Sequence, residues 1–186
     1  IDLKTFFEKK SKIIKEKKKK FSFYSFEDIK FRLVRDNLLS QNEYKKIILK
    51  MMKQKKFDPK DIYTKLFLTK KDIIQLDSLN HSIGLHSHSH PTLIEKLNYN
   101  EQKNEYEKNL KILSEILNKN VNELNCISHP CGSYNNETLR LLKNLGLEIG
   151  FRQDMKIEKE KKMTKINNSK LEIARQDHAE ILMRMN

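Results

Sequence analysis

The chain has 186 residues and a formal net charge of +13, with four glycines, three prolines and no tryptophan. That length suits one domain with a real core, and so little glycine and proline argues against an all-β sandwich and for helices joined by short loops. No apolar run reaches the roughly 18–20 residues of a membrane span, and no signal peptide is visible.

The lysines run through the whole chain among many Asn and Ile residues. They are not interleaved with stacking aromatics or arginine, so the charge reads as a solvated surface and not as a nucleic-acid patch. Cys126 and Cys131 are five apart, which is not the spacing of a redox or zinc pair, and they read as reduced thiols. The first residue is Ile1 and not methionine, so part of the N-terminus is expected to be missing. With no leader in view the expected address is cytoplasmic.

Residues 1–20 read as one helix with a narrow stripe of Phe6, Phe7, Ile13 and Ile14, ending in a lysine run that suits a helix C-terminus. A short aromatic stretch, Phe21–Tyr24, follows. From Ile29 to Phe57 the pattern is helical, with a break near Asn37 and Ser40. Asp58-Pro59 signals a turn. Thr69-Lys70-Lys71-Asp72 has the form of a capping box opening a helix through Leu79. Ser82–Leu85 is short and apolar and reads as a buried strand.

Four of the six histidines (His81, His86, His88, His90) then fall in one short window. Neutral imidazole is the commonest protein ligand for divalent metals. If the backbone turns helically after Leu85, His86 and His90 stand at i and i+4 on one face and can reach one ion at about 2.0–2.1 Å. If the stretch is a strand, all three alternate histidines share a face; Pro91 favours a turn. The same stretch also reads as a polar surface loop, and the residues alone leave these readings open.

Tyr99–Asn118 is an amphipathic helix with Tyr106, Leu110, Leu113 and Leu117 at helical spacing. Leu124–Ile127 reads as a strand, followed by the loop His129-Pro130-Cys131-Gly132-Ser133-Tyr134-Asn135. Asn135 or Asn136 can cap a helix carrying Leu139, Leu142 and Leu145, which stops at Gly146. Leu147–Phe151 is strand-like, residues 152–170 a charged, mobile loop, and Leu171–Ala174 a last strand running into Arg175-Gln176-Asp177-His178. The second half therefore alternates strand and helix, the pattern of parallel α/β units whose sites sit at the carboxyl ends of strands. His86 and His90, Pro130–Tyr134, and Arg175–His178 all fall at that rim.

These residues resemble a polysaccharide deacetylase of the NodB-homology type, carbohydrate esterase family four. Ile83-Gly84-Leu85-His86-Ser87-His88-Ser89-His90-Pro91 is similar to the family's H-[ST]-x-x-H metal motif at a strand end. His129–Asn135 with Glu137-Thr138 and the helix ending at Leu145-Gly146 is similar to a second family segment. The resemblance covers roughly residues 65–180. It implies a partial, distorted (β/α) barrel over 65–186, with residues 1–64 a helical insertion near the N-terminus. It implies a hydrolase that removes acetyl groups from an N-acetylated sugar or glycan with a divalent metal, usually zinc. No specific nucleic acid partner and no membrane span are expected.

Carried over by residue, the resemblance makes His86 and His90 metal ligands. It places the backbone at Pro130, Cys131 and Gly132, with Tyr134, beside the acetyl group and its oxyanion. Cys131 stands where the family usually has tyrosine. Ser128 stands where it often has arginine, which makes Arg175 the candidate to orient a catalytic carboxylate. His178 is the candidate general acid. The family's early T-F-D-D is missing. Ser25-Phe26-Glu27-Asp28 mimics it, but the residues that follow continue as a helix, so Asp28 is a poor substitute and the third ligand and base are expected upstream of Ile1. The alternative is a truncated domain that keeps the fold and has lost the chemistry.

Overall fold

The computed structural model describes residues 2–153, 169–175, 181, 182 and 185. They form two compact units, Ile1–Pro59 and Lys60–Asn186.

The first unit is helical. The single helix expected over residues 1–20 is two, α1 (Leu3–Lys9) and α2 (Ser11–Lys20), because Lys10 leaves the helical region at φ −99° and ψ 7°. Phe6, Phe7 and Tyr24 pack against a small core of Ile14, Ile29 and Leu33; Ile13 lies outside it. Helix α3 (Phe26–Asn37) opens on a reciprocal capping box. Asp28 accepts the N–H and the hydroxyl of Ser25 at 3.0 and 2.8 Å, and its own N–H donates to Ser25 Oγ at 3.0 Å. The Ser-Phe-Glu-Asp mimic is thus a helix start, which accounts for the helical pattern after it. Those bonds, the Ser25 hydroxyl foremost, hold the Asp28 carboxyl below its usual range. Ser40 and Glu43 make a second box at the start of α4 (Gln41–Gln54), none of whose residues is buried.

The second unit begins with a short α5 (Tyr63–Leu66) and with α6 (Lys70–Ser78), opened by the expected Thr69–Asp72 box. The long α7 (Tyr99–Leu117) starts at an Asn98–Glu101 box and ends at Asn118, whose left-handed backbone (φ 52°) asparagine tolerates. Then come β1 (Cys126–Ser128), α8 (Asn136–Asn144) and β2 (Ile149–Phe151). Gly146, at φ +83°, ends α8 in a Schellman turn: its N–H donates to Lys143 O and that of Leu147 to Leu142 O.

The sheet is parallel, with Cys126 opposite Ile149, Ile127 opposite Gly150 and Ser128 opposite Phe151. Leu85 bridges to Ile127 on one side and Ile173 to Phe151 on the other, both parallel. Four chain segments thus line up in sequence order, with α7 and α8 as the crossovers. The α/β alternation expected of residues 82–174 is present, but its outer members are single bridges. Leu85 makes one bond in each direction with β1, N–H to Cys126 O (2.9 Å) and O from Ser128 N–H (3.0 Å). Before Ile173 the chain coils into a 3-10 turn at Lys170–Glu172. Residues 154–168, within the expected mobile loop, lie outside the described residues.

The core of this unit sits between the sheet and the two crossover helices. Leu85, Ile94, Tyr106, Leu110, Ile127, Leu141, Leu142, Leu147 and Leu171 are all buried. On α7 the buried face is the expected one at Tyr106, Leu110 and Leu113, with Leu117 at its edge. On α8 it is Thr138, Leu141 and Leu142, with Leu139 and Leu145 only partly covered. At Gly150 any Cβ would collide with the backbone carbonyl of Leu171, so glycine is what lets the last segment approach the sheet.

Candidate active site

The carboxyl ends of the four parallel segments are followed by His86, His129, Arg152 and Arg175. Two of these ends carry the sequence motifs.

Neither a helical turn nor a strand forms at His86–His90. Ser87 (φ 63°) and His90 (φ 55°) are both left-handed, and the chain folds into a loop between them. Ser87 is buried and its Oγ accepts the N–H of His90 at 3.2 Å. This loop brings the rings of His86 and His90 together, with centroids 4.8 Å apart at 61°. His86 Nδ1 lies 2.6 Å from the backbone oxygen of Ser128. A carbonyl only accepts, so Nδ1 carries the proton and Nε2 is left with a bare lone pair. Surrounding protein lowers the pKa of His86, the Ser128 hydrogen bond opposes this, and the charges of His90 and Arg175 lower it further. The neutral form that a metal requires is therefore the favoured one. His81 belongs elsewhere: with Asp77, Lys119 and Cys126 it lines a separate cleft of about 240 Å³.

The second motif forms a tight 3-10 turn at Pro130–Gly132, with Cys131 (φ 52°) and Gly132 (φ 68°) both left-handed. Pro130 is buried and Cys131 exposed. The N–H groups of Gly132 and Ser133 donate to His129 O and Pro130 O within the turn. Asn135 caps α8 and also donates from Nδ2 to Glu95 O at 2.9 Å, while Ser133 Oγ accepts the Glu95 N–H at 3.2 Å. The second motif is thereby tied to the segment that follows the first.

His129 is buried. Its Nε2–H donates to Leu171 O at 2.8 Å and its ring stacks on Tyr134 at 4.4 Å. Burial keeps it neutral by pushing its pKa down. Tyr134 is pushed up to about 12 by burial and by a hydrogen bond to the buried Glu172, with Arg152 opposing. Its hydroxyl is thus engaged beneath the rim. Arg175 is exposed two residues after the Ile173 bridge and close enough for its charge to act on His86. His178 lies outside the described residues.

Sequence reasoning passed over the groups that hold the histidine loop from α7. Asn109 Oδ1 accepts the His86 N–H at 3.0 Å. Glu105 accepts the N–H groups of His88 and Ser89 at 3.0 and 2.7 Å and the Ser89 hydroxyl at 2.7 Å. Their i, i+4 spacing was the available signal, but polar pairs at that spacing are routine on solvated helix faces. Arg152 and Glu172 were likewise passed over, in a stretch read as loop and last strand.

A model of the polysaccharide deacetylase family matches residues 7–150. The chain belongs to that family. No curated protein matches it. Among solved structures it is similar to the Streptococcus pyogenes deacetylase PplD in complex with acetate, at 24% identity and a TM-score of 0.49, over 58% of this chain and 43% of that one. It is also similar to BA3943, a CE4 family pseudoenzyme from Bacillus anthracis, at 17% identity and a TM-score of 0.39, over 59% and 38%. A mutant of BA3943 with restored enzymatic activity gives 18% and 0.39 over 58% and 39%. The chain spans less than half the length of these structures.

A divalent ion fits two of the donors this polysaccharide deacetylase domain offers. His86 presents Nε2 with its other nitrogen fixed by a carbonyl, the arrangement typical of a metal-bound histidine, and His90 stands against it. Among the described residues no third His, Cys, Asp or Glu joins the pair.

Proposed function

We propose that this domain is part of a metal-dependent deacetylase, with a distorted (β/α) barrel of the NodB type, acting on N-acetylated sugars or a glycan. The observation that carries the reading is the His86–His90 pair, 4.8 Å apart at the carboxyl edge of a parallel sheet, in a chain of the polysaccharide deacetylase family.

His86 and His90 would hold the ion. When bound, zinc polarises a carbonyl and lowers the pKa of a coordinated water toward 7. The chain's own residues set up the rest. The Ser128 carbonyl keeps the proton on Nδ1 of His86, so Nε2 keeps its lone pair for a metal. The turn at Pro130, Cys131 and Gly132 borders the acetyl group and shapes its pocket, and Tyr134, stacked on His129, supports that turn from below. Arg175 orients the carboxylate base, and His178 delivers a proton to the leaving nitrogen as the C–N bond breaks. Asp28 is not assigned that role here: its Oδ2 accepts the N–H and the hydroxyl of Ser25 at the start of α3.

The test is acetate release from acetylated sugars by the purified full-length protein with zinc. Activity lost on chelation, restored by zinc and abolished by His86→Ala supports the reading. Activity indifferent to both would refute it. A protein that binds zinc through His86 and releases nothing would mark the domain as an inactive relative.

A further inference from the structure

The histidine loop is gripped from one side by a single helix. Glu105 and Asn109 stand one turn apart on α7, so their side chains leave the same face. Asn109 takes the first N–H of the loop, that of His86, at 3.0 Å. Glu105 takes the two after Ser87: Oε2 accepts from His88 (3.0 Å) and Ser89 (2.7 Å), and Oε1 accepts the Ser89 hydroxyl at 2.7 Å. Four bonds from two side chains therefore span His86 to Ser89.

The backbone they hold is not one this sequence adopts by itself. Ser87 and His90 are left-handed without being glycine, and such residues persist where their surroundings over-determine them. Inside the loop, Ser87 Oγ to His90 N–H, at 3.2 Å, is a long bond. A carboxylate accepting two successive N–H groups is a stronger constraint. The rings of His86 and His90 stand at the two ends of this backbone with centroids 4.8 Å apart, so what fixes the backbone limits where the rings can lie.

We propose that Glu105 and Asn109 are positioning residues for the metal pair: a two-point clamp on α7 that holds the strained loop so that His86 and His90 converge. The inference rests on reading those histidines as ligands. Glu105 also attracts any nearby cation by charge alone, so the variants must separate charge from geometry.

The experiment uses the full chain as wild type, Glu105→Ala, Glu105→Gln and Asn109→Ala. Backbone amide exchange over residues 86–90 is measured without metal, and zinc affinity is measured by competition with a chromophoric chelator. Glu105→Ala is expected to speed exchange at His88 and Ser89 about five- to tenfold, with β1 and the core of α7 unchanged. It should weaken zinc binding about 10–100-fold. Asn109→Ala should act likewise at His86, and Glu105→Gln should fall between Glu105→Ala and wild type. Unchanged exchange at His88 and Ser89 in Glu105→Ala overturns the clamp. So does a pattern in which Glu105→Gln loses as much zinc affinity as Glu105→Ala while Asn109→Ala loses none, since that is charge alone. Should Glu105→Ala not fold, the other two variants decide on the same readouts. A wild-type chain that takes up no zinc refutes the metal reading, and the exchange data then decide the clamp by themselves.

Discussion

Thr138→Val tests how the two crossover helices are joined beneath the site. Thr138 and Gln102 are both fully buried, on α8 and α7. Thr138 Oγ1 donates to Gln102 Oε1 at 2.6 Å and accepts the Asn135 N–H at 3.0 Å, and Gln102 Nε2 donates to Leu97 O at 2.9 Å. Valine keeps the shape and removes the hydroxyl. The Gln102 amide oxygen is then buried without a partner, which costs about 1–3 kcal/mol, and the part-buried Asn135 N–H adds up to about 1. A loss near 3 kcal/mol lowers the Tm of a chain this long by about 6–12 °C. Urea unfolding followed by circular dichroism measures it, with an unchanged m value showing that stability alone has moved. Adding Gln102→Leu removes the stranded oxygen, so the double variant should cost about 1–2 kcal/mol less than the sum of the singles. A Thr138→Val protein within about 0.5 kcal/mol of wild type, or strictly additive singles, would show that this pair does not join the helices.

Zinc at a hundred times its Kd should stabilise the wild-type chain by about 2.7 kcal/mol, a Tm rise of roughly 5–10 °C, and His86→Ala or His90→Ala should remove most of it. Protons compete for the same nitrogens, and because His86 titrates below its usual value, thermal shifts measured across pH should hold at pH 7 and fade only below about 6.5. For His129 the sign is set by burial: its folded pKa is depressed, so the unfolded chain takes up the proton first. Stability is therefore full above about 6.5 and falls as the pH drops toward the folded value. Unfolding free energies at pH 7.5 and 5.5 should differ less in His129→Gln than in wild type. Gly150→Ala should push Leu171 away and cost about 1–3 kcal/mol as overpacking. The faster-exchanging amide should be that of Ile173, which donates to Gly150 O at 2.8 Å.

Local chemistry was readable without a fold. The Thr69–Asp72 box, the buried face of α7 and the stop at Gly146 each depend on residues within one or two turns, and each stands where the sequence put it. The two motifs that mark the family are contiguous for the same reason. Errors entered where neighbours in space decide. Ser82–Leu85 has the composition of a strand, but among the described residues only Leu85 forms a bridge.

The candidate site shows the same division. Sequence alone named His86 and His90 and left open whether a helix or a strand would aim them. Tertiary structure chose neither. A carbonyl from β1, 42 residues onward, sets the tautomer of His86, and two side chains from α7, beginning 16 residues onward, hold the loop in a left-handed shape. Periodicity can report which residues lie on a common face of one element. It carries no record of which hydrogen-bond partners arrive from another, because those are fixed only once the sheet has ordered its strands and packed α7 against them.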